Sequence, residues 1–410
     1  MSQWCGSCWA NCKLSYYSQR EIWKRVSKIS KLNRVLILSV TVGAGHMRTA
    51  EAVKKAALSA NPGAEVVILD TFRYASPFLE RVVLGTYMEM LKMSPVIYGY
   101  LYRQAEHGRP LSGRGKTEFN RILNILAAPR LVKYIGDFKP ESIICTHPFP
   151  LGIVSYMKKK GTFKGPVFGV ITDYTIHSFW IFPEVDYYIV GSEKLVDQCV
   201  DYGIAPQQVC PTGIPINPEF GVRCDKRKLK EQLGLDPELP AILLMGGGLG
   251  MGPLESSLKT LGDSMDYQLI CVAGSNKTLH EKLSRVAQSL SCLVKVYGFV
   301  ENIHQLMAAS DFMVGKAGGL TCAEAMAQAL PIFIIDPLPG QEERNTEFMT
   351  AAGAGVRVEE KNLTGVIQSC LAEPDKIKKM AEAAAALGKP DAARDAVDFI
   401  ARAIEKARAV

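Results

Sequence analysis

The chain is predicted to fold as two doubly wound, Rossmann-like α/β domains facing each other across a cleft. Three observations predict it. Short apolar runs alternate with helical patterns from Asn33 onward. The runs form two series divided by a stretch rich in Pro and Gly, and a glycine-rich turn follows the first strand of each series. With 410 residues, 48% of them hydrophobic, the chain can bury two cores.

Taken in order, RVLILSV (34–40), EVVILD (65–70), SIICTH (142–147), PVFGVIT (166–172) and DYYIV (186–190) read as strands of a first sheet. CPTGIPINPEFGVRCD (210–225) is the natural linker. A second series follows with AILLM (241–245), YQLICVA (267–273), CLVKVYG (292–298), DFMVG (311–315) and PIFIID (331–336). Residues 389–410 carry alanines and aliphatics at helical spacing, the mark of a helix packing back on the body. The expected division is a basic extension (1–33), a first domain (34–217), a second domain (218–388) and a closing helix (389–410). Ligands in such sheets bind beyond the carboxyl ends of the strands.

The net charge of +7 is concentrated near the start. Lys13, Arg20, Lys24, Arg25, Lys28, Lys31 and Arg34 stand against Glu21 alone, with Ile22, Trp23, Val26 and Ile29 at helical spacing between them. The pattern fits a helix on an anionic membrane surface, or else a solvated tail. The nearly neutral remainder shows no basic stripe with interleaved aromatics, which argues against nucleic acid. No apolar run approaches the roughly 20 residues of a membrane span and no signal peptide begins the chain, so the cytosol is the expected compartment.

The eleven cysteines, several of them single residues in apolar segments (Cys145, Cys210, Cys271, Cys292, Cys322), suggest buried free thiols in a reducing compartment. Cys5, Cys8 and Cys12 cluster without a fourth ligand nearby, and no metal site is expected there. The stretch CGSCWA (5–10) looks like a papain-type nucleophile loop, and His147 lies at about the ~130–150-residue spacing such an enzyme uses. Chemistry removes that reading. The residues after Cys8 are too polar and charged for a buried helix, and Pro148 holds His147 extended at the mouth of a strand.

Other motifs carry more. TVGAGHMRTAEAV (41–53) is a glycine-rich turn opening a helix, but Arg48 occupies the third position of a dinucleotide fingerprint, which weakens a redox reading. His46 stands at the helix start, where the dipole keeps it neutral, as a general base must be. MGGGLGMGP (245–253) offers backbone amides to phosphates without the Lys-Ser/Thr end of a Walker loop. Gly318, Gly319 and Thr321 lie at another helix start suited to a diphosphate, with Glu324 one turn on, within reach of a ribose diol. Gln341, Glu342, Glu343 and Asn345 form a polar turn that can hydrogen-bond sugar hydroxyls.

In order along the chain, GAGH (43–46), THP (146–148), TDYTIHSFW (172–180), YGFVENIHQLM (297–307), AGGLTCAEA (317–325) and PGQEERN (339–345) resemble the monogalactosyldiacylglycerol synthases and bacterial processive diacylglycerol glucosyltransferases. The lipid II N-acetylglucosaminyltransferase is a more distant relative. The resemblance spans roughly residues 33–385 and implies a GT-B glycosyltransferase that uses a UDP-sugar, inverts the anomeric centre and needs no metal or other cofactor. By the same resemblance the donor would lie against Gly248, the backbone near Phe299 and Val300, Gly318, Gly319, Thr321 and Glu324. Gly340, Gln341, Glu342 and Asn345 would meet its sugar. His46 would be the base, with Gly43, Gly45, His147, Pro148 and Asp173 on the acceptor side. Lys316 stands where retaining GT-B enzymes often carry a Glu, which disfavours retention.

The stretch FLERVVLGTYMEMLKMSPVIYGYLYRQ and the basic HGRPLSGRGKTEFNRILNIL after it, within residues 72–135, resemble this family's acceptor region and can embed in a membrane interface. The expected activity is therefore transfer of glucose or galactose from UDP to diacylglycerol, a glycosyl-diacylglycerol or another membrane lipid, by a protein peripheral on the inner face of the membrane. Alternatives are a UDP-sugar 2-epimerase, a UDP-GlcNAc transferase or a catalytically silent binding module.

Overall fold

The computed structural model describes residues 32–41, 44–75 and 129–409. The basic N-terminal segment up to residue 31, the Cys5/Cys8/Cys12 cluster, Gly43 and residues 76–128 of the proposed acceptor region lie outside the described residues.

Two parallel six-stranded sheets form the scaffold. The first contains β1 (Arg34–Ser39), β2 (Glu65–Asp70), β3 (Ser142–Cys145), β4 (Val167–Val170), β5 (Tyr187–Ile189) and β6 (Val209–Cys210), in the order β2-β1-β3-β4-β5-β6. The second contains β7 (Ala241–Met245), β8 (Gln268–Val272), β9 (Val294–Tyr297), β10 (Phe312–Gly315), β11 (Ile332–Ile334) and β12 (Gly355–Arg357), in the order β12-β11-β10-β7-β8-β9. The central strands are continuous apolar runs because helices cover both faces, as the fully buried β7 illustrates. Strand order reverses beside β1 in the first sheet and beside β7 in the second, which opens a crevice at the carboxyl end of each.

All ten anticipated strands form, most of them shorter at their ends. β6 and β12 were not anticipated, because two and three residues carry no readable period. Among the anticipated buried thiols, Cys210 is only partly covered, since it ends the edge strand β6, whereas Cys145, Cys271, Cys292 and Cys322 are buried.

Four helices position the functional residues: α1 (Ala44–Ala60), α2 (Pro148–Lys159), α3 (Gly319–Ala327) and α4 (Gln341–Ala351). The loop ahead of α1 is anchored where the Thr41 amide and hydroxyl both donate to the Asp70 carboxylate at the end of β2. A last helix, α5 (Ala392–Arg408), returns from the second sheet to the first. Its apolar face, including Ala396, Val397 and Ile400, is buried with α1 residues, and Phe399 meets the Phe168 and Tyr187 rings edge on. Among the described residues no helix is long and apolar enough to cross a membrane, and no cluster of three His, Cys, Asp or Glu is arranged to hold a metal.

Candidate functional site

His46 is the third residue of α1, at the carboxyl end of β1. Its Nδ1 lies 2.7 Å from the Thr146 carbonyl oxygen and 3.0 Å from Thr172 Oγ1. A carbonyl can only accept, so the ring proton sits on Nδ1 and the lone pair on Nε2. Burial holds the His46 pKa below its usual value, against the upward pull of the Asp173 charge and the Thr146 carbonyl. The imidazole is therefore neutral near pH 7, as general-base work requires. Burial is the largest cause of the shift.

His147 caps α2. Its backbone is extended (φ −143°, ψ 143°), as a residue before proline must be, and Pro148 takes the first helical turn, where a missing N–H costs little. The Phe149 amide donates to His147 Nδ1 at 3.2 Å, so the proton of this neutral ring lies on Nε2. Burial, reinforced by His46 and His177, holds its pKa well below the usual histidine value. The two imidazoles meet edge to face with centroids 4.6 Å apart. Asp173, in the segment after β4, is half-buried; desolvation pushes its carboxyl up, while hydrogen bonds from Asn345 and the Gly319 amide and the charge of His46 pull it back. Gly45 faces α3: a side-chain carbon at this position would lie 3.7 Å from Leu320 Cβ.

Across the cleft, the loop after β7 brings Gly248 against Ala44, where an added Cβ would lie 2.5 Å from that side chain. α3 opens at Gly319 behind Gly318, which has no side chain to cap the helix; the Gly319 amide donates to Asp173 across the cleft. Thr321 stands in the first turn, and the amides of that turn with its hydroxyl suit an anion. Glu324, further along α3, has its carboxyl pushed up to about 8 by burial, opposed by the Arg48 charge from α1. The Arg48 guanidinium also lies 5.1 Å from the centroid of the exposed Phe299 ring. Val300 packs against the core of the second sheet.

The turn ahead of α4 depends on Gly340, whose φ of 97° and ψ of −117° suit only glycine. Its amide donates to Glu343 at 3.0 Å, and the Leu338 amide donates to Glu342 Oε2 at 2.7 Å. Lys316 Nζ stands 4.0 Å from the Glu342 carboxylate. Gln341 begins α4, half-buried at the same turn.

Asn345 departs from expectation. Anticipated as a reader of the donor sugar, it is fully buried with its carboxamide engaged by the protein. Oδ1 accepts from the Tyr174 amide at 2.8 Å, and Nδ2 donates to Asp173 Oδ1 at 3.0 Å and to the Ala317 carbonyl at 2.9 Å. Tyr174 stacks on Phe348 of α4 with centroids 4.2 Å apart, a further contact between the two halves. Sequence reasoning also missed Thr172 and Arg48. Thr172 was visible only as the neighbour of Asp173, and Arg48 only as a break in the dinucleotide fingerprint.

Two family models match the chain in tandem. One is described as monogalactosyldiacylglycerol (MGDG) synthase and covers residues 46–216; the other, the glycosyltransferase family 28 C-terminal domain, covers residues 241–396. A processive diacylglycerol beta-glucosyltransferase from Bacillus cytotoxicus is 27% identical over 372 residues, covering 90% of this chain and 93% of that one. The protein of the same name from Bacillus cereus is 28% identical over 373 residues, with the same coverage. Among solved structures, Acinetobacter baumannii MurG superposes with a TM-score of 0.58 at 14% identity, covering 90% of this chain and 99% of that one. A Neisseria meningitidis UDP-GlcNAc 2-epimerase bound to UDP-GlcNAc gives 0.54 at 14% identity, covering 91% and 99%. These two likenesses speak for the two-domain fold alone.

Proposed function

We infer, from the premise that this chain belongs to the glycosyltransferase family of the monogalactosyldiacylglycerol synthases and processive diacylglycerol beta-glucosyltransferases, that it transfers a hexose from a UDP-sugar to diacylglycerol. The observation that carries the reading is a neutral base facing an anion-ready helix start. His46 has its proton fixed on Nδ1, leaving Nε2 to accept one, and the glycine-led start of α3, whose N-cap Gly318 has no capping side chain, lies on the opposite side of the same crevice.

In the proposed reaction Nε2 of His46 takes the proton of the acceptor hydroxyl as its oxygen attacks the anomeric carbon. The bond from that carbon to the UDP oxygen breaks on the opposite face, so an α-linked donor gives a β-linked product. Negative charge grows on the departing diphosphate, where the α3 amides, Thr321 and the Gly248 loop offset it. Asp173 offsets the positive charge left on His46. Glu324 takes the ribose diol, the backbone near Phe299 and Val300 faces the uracil, and Gln341 with Glu342 faces the hexose. Gly45, His147 and Pro148 border the acceptor.

Diacylglycerol resides in a membrane, so the reaction takes place at its surface, and we propose the cytoplasmic face, where UDP-sugars are available. The basic N-terminal segment would strengthen attachment to anionic lipid. The test is to incubate the protein with UDP-glucose or UDP-galactose and vesicles of diacylglycerol in anionic phospholipid, then weigh the lipid products. Monohexosyl-diacylglycerol is expected, with a dihexosyl product if the first one is reused. A UDP-sugar converted without lipid, and no glycolipid with it, would overturn the reading in favour of an epimerase.

A further inference from the structure

Asn345 belongs to α4, on the side of the cleft assigned to the donor, yet its carboxamide is engaged by the other side. Asp173 and Tyr174, which it joins, follow β4 of the first sheet. The Gly319 amide, from the start of α3, is the other hydrogen-bond donor to Asp173. Backbones approach so closely there that a Cβ on Gly319 would lie 2.0 Å from the Thr172 carbonyl oxygen and 2.7 Å from Asp173 Oδ1. Thr172 itself contacts His46 Nδ1. Asp173 thus faces the base from one domain while its hydrogen-bond donors come from the other.

We propose that Asn345 is a positioning residue that acts through Asp173 on His46, so that the general base is completed only when the two domains close on each other. Its amide group fixes the Asp173 carboxylate in place and in its ionised form. That charge then stabilises the imidazolium created when His46 takes the acceptor proton. An open cleft withdraws Asn345 and the Gly319 amide together, and Asp173 loses the two donors that hold its carboxylate in position towards His46. The base is then weak until both substrates are enclosed, which disfavours loss of the sugar to water.

Other titratable and charged groups face this cluster. His147 stands on the α2 side, with His177 from the segment after Asp173, while Cys322 comes from α3 and Glu342 from α4. Arg48 and Glu324 face each other beside it. None of them hydrogen-bonds Asp173 in the contacts described above, so Asn345 and the Gly319 amide are the groups to perturb.

The inference rests on His46 being the base, and the experiment separates the two. Asn345→Ala and the nearly isosteric Asn345→Asp are compared with the parent protein by pH profiles of kcat and kcat/KM, by the KM for the UDP-sugar and by UDP affinity. Asn345→Ala should lower kcat by ~10-fold or more, a part of the 10²–10⁴ that a general base supplies, with UDP affinity and donor KM changed less than about threefold.

In Asn345→Asp the new carboxyl must be protonated to donate to Asp173. Its kcat relative to the parent should therefore be highest at acid pH and fall as pH rises. A merely structural defect would lower activity at every pH alike. Thermal melting and UDP binding report folding for both, and Asn345→Asp carries the test if the alanine variant unfolds. A raised donor KM with unchanged kcat and pH profile would overturn the proposal, making Asn345 a reader of the sugar while the His46 reading stood. Persistent turnover by His46→Ala would instead remove the base assignment itself, and this proposal with it.

Discussion

The imidazoles of His46 and His147 touch edge to face at 4.6 Å, and their hydrogen bonds give them opposite tautomers. His46 carries its proton on Nδ1 and keeps Nε2 free to accept, whereas His147 accepts at Nδ1 and carries its proton on Nε2. One ring is suited to take a proton from a hydroxyl, and the other to donate a hydrogen bond to an oxygen. His46→Ala should therefore lower kcat by ~10²–10⁴-fold with UDP binding intact. His147→Phe should cost about tenfold in kcat/KM for the acceptor, the value of one hydrogen bond at ~1.5 kcal/mol. Full turnover by His46→Ala in a radiolabelled-sugar assay would refute the base assignment.

The pH dependence has a definite sign. Burial depresses both histidines below their unfolded pKa, so the folded protein binds fewer protons than the unfolded chain. Their contribution to stability is present above the ordinary histidine pKa of about 6.5 and is lost as pH falls through the lower folded values. The melting temperature of the parent should drop below that pH more steeply than that of a His147→Phe variant. Equal acid sensitivity would count against the buried neutral pair.

Glu324 runs the other way. Its folded pKa of about 8 lies above the unfolded value, so its carboxyl is mostly protonated in the empty cleft at neutral pH. An ionised carboxylate accepts from both hydroxyls of a ribose diol, so UDP binding should release a proton below pH 8 and tighten as pH rises towards it. Calorimetry in buffers of different ionisation heat measures that proton directly. Glu324→Gln should abolish the release; unchanged release would place the titration elsewhere.

Arg48 crosses from the first domain to stand over Phe299 and beside Glu324. A cation over an aromatic ring contributes ~0.5–1 kcal/mol at an exposed site, which predicts a two- to fivefold rise in donor KM for Arg48→Ala. Phe299→Leu should have a similar effect, and the double variant less than the product of the two. Strict multiplicativity would show that the contact contributes nothing to donor binding.

Gly319 tests closure separately from donor affinity. A methyl group at this position meets the Thr172 carbonyl oxygen at 2.0 Å, and backbone cannot yield as a flexible side chain does. Gly319→Ala should hold the two domains apart and lower kcat by ~100-fold or more through misplaced groups. A compact scattering profile identical to the parent's, with normal kcat, would show that the contact is dispensable.

Much of this was legible in the residues themselves. Ten strands followed from apolar runs, and the starts of α1 and α3 from Gly-Ala-Gly-His and Ala-Gly-Gly-Leu-Thr, because these signals are local: each depends on side-chain period or on glycine's backbone freedom. His46 could be singled out for the same reason. Position at a helix start is a sequence property.

What only the tertiary structure decided depends on partners far away in the chain. The tautomer of His46 is set by a carbonyl 100 residues distant, and the role of Asn345 by an aspartate 172 residues before it. A polar turn after a buried strand gives no sign of whether its asparagine faces a sugar or the opposite domain. α5 was legible as an amphipathic helix, but not that its apolar face would complete the core of the first sheet rather than the second. A hydrophobic stripe shows that a face must be buried, and the packing of the whole chain determines what buries it.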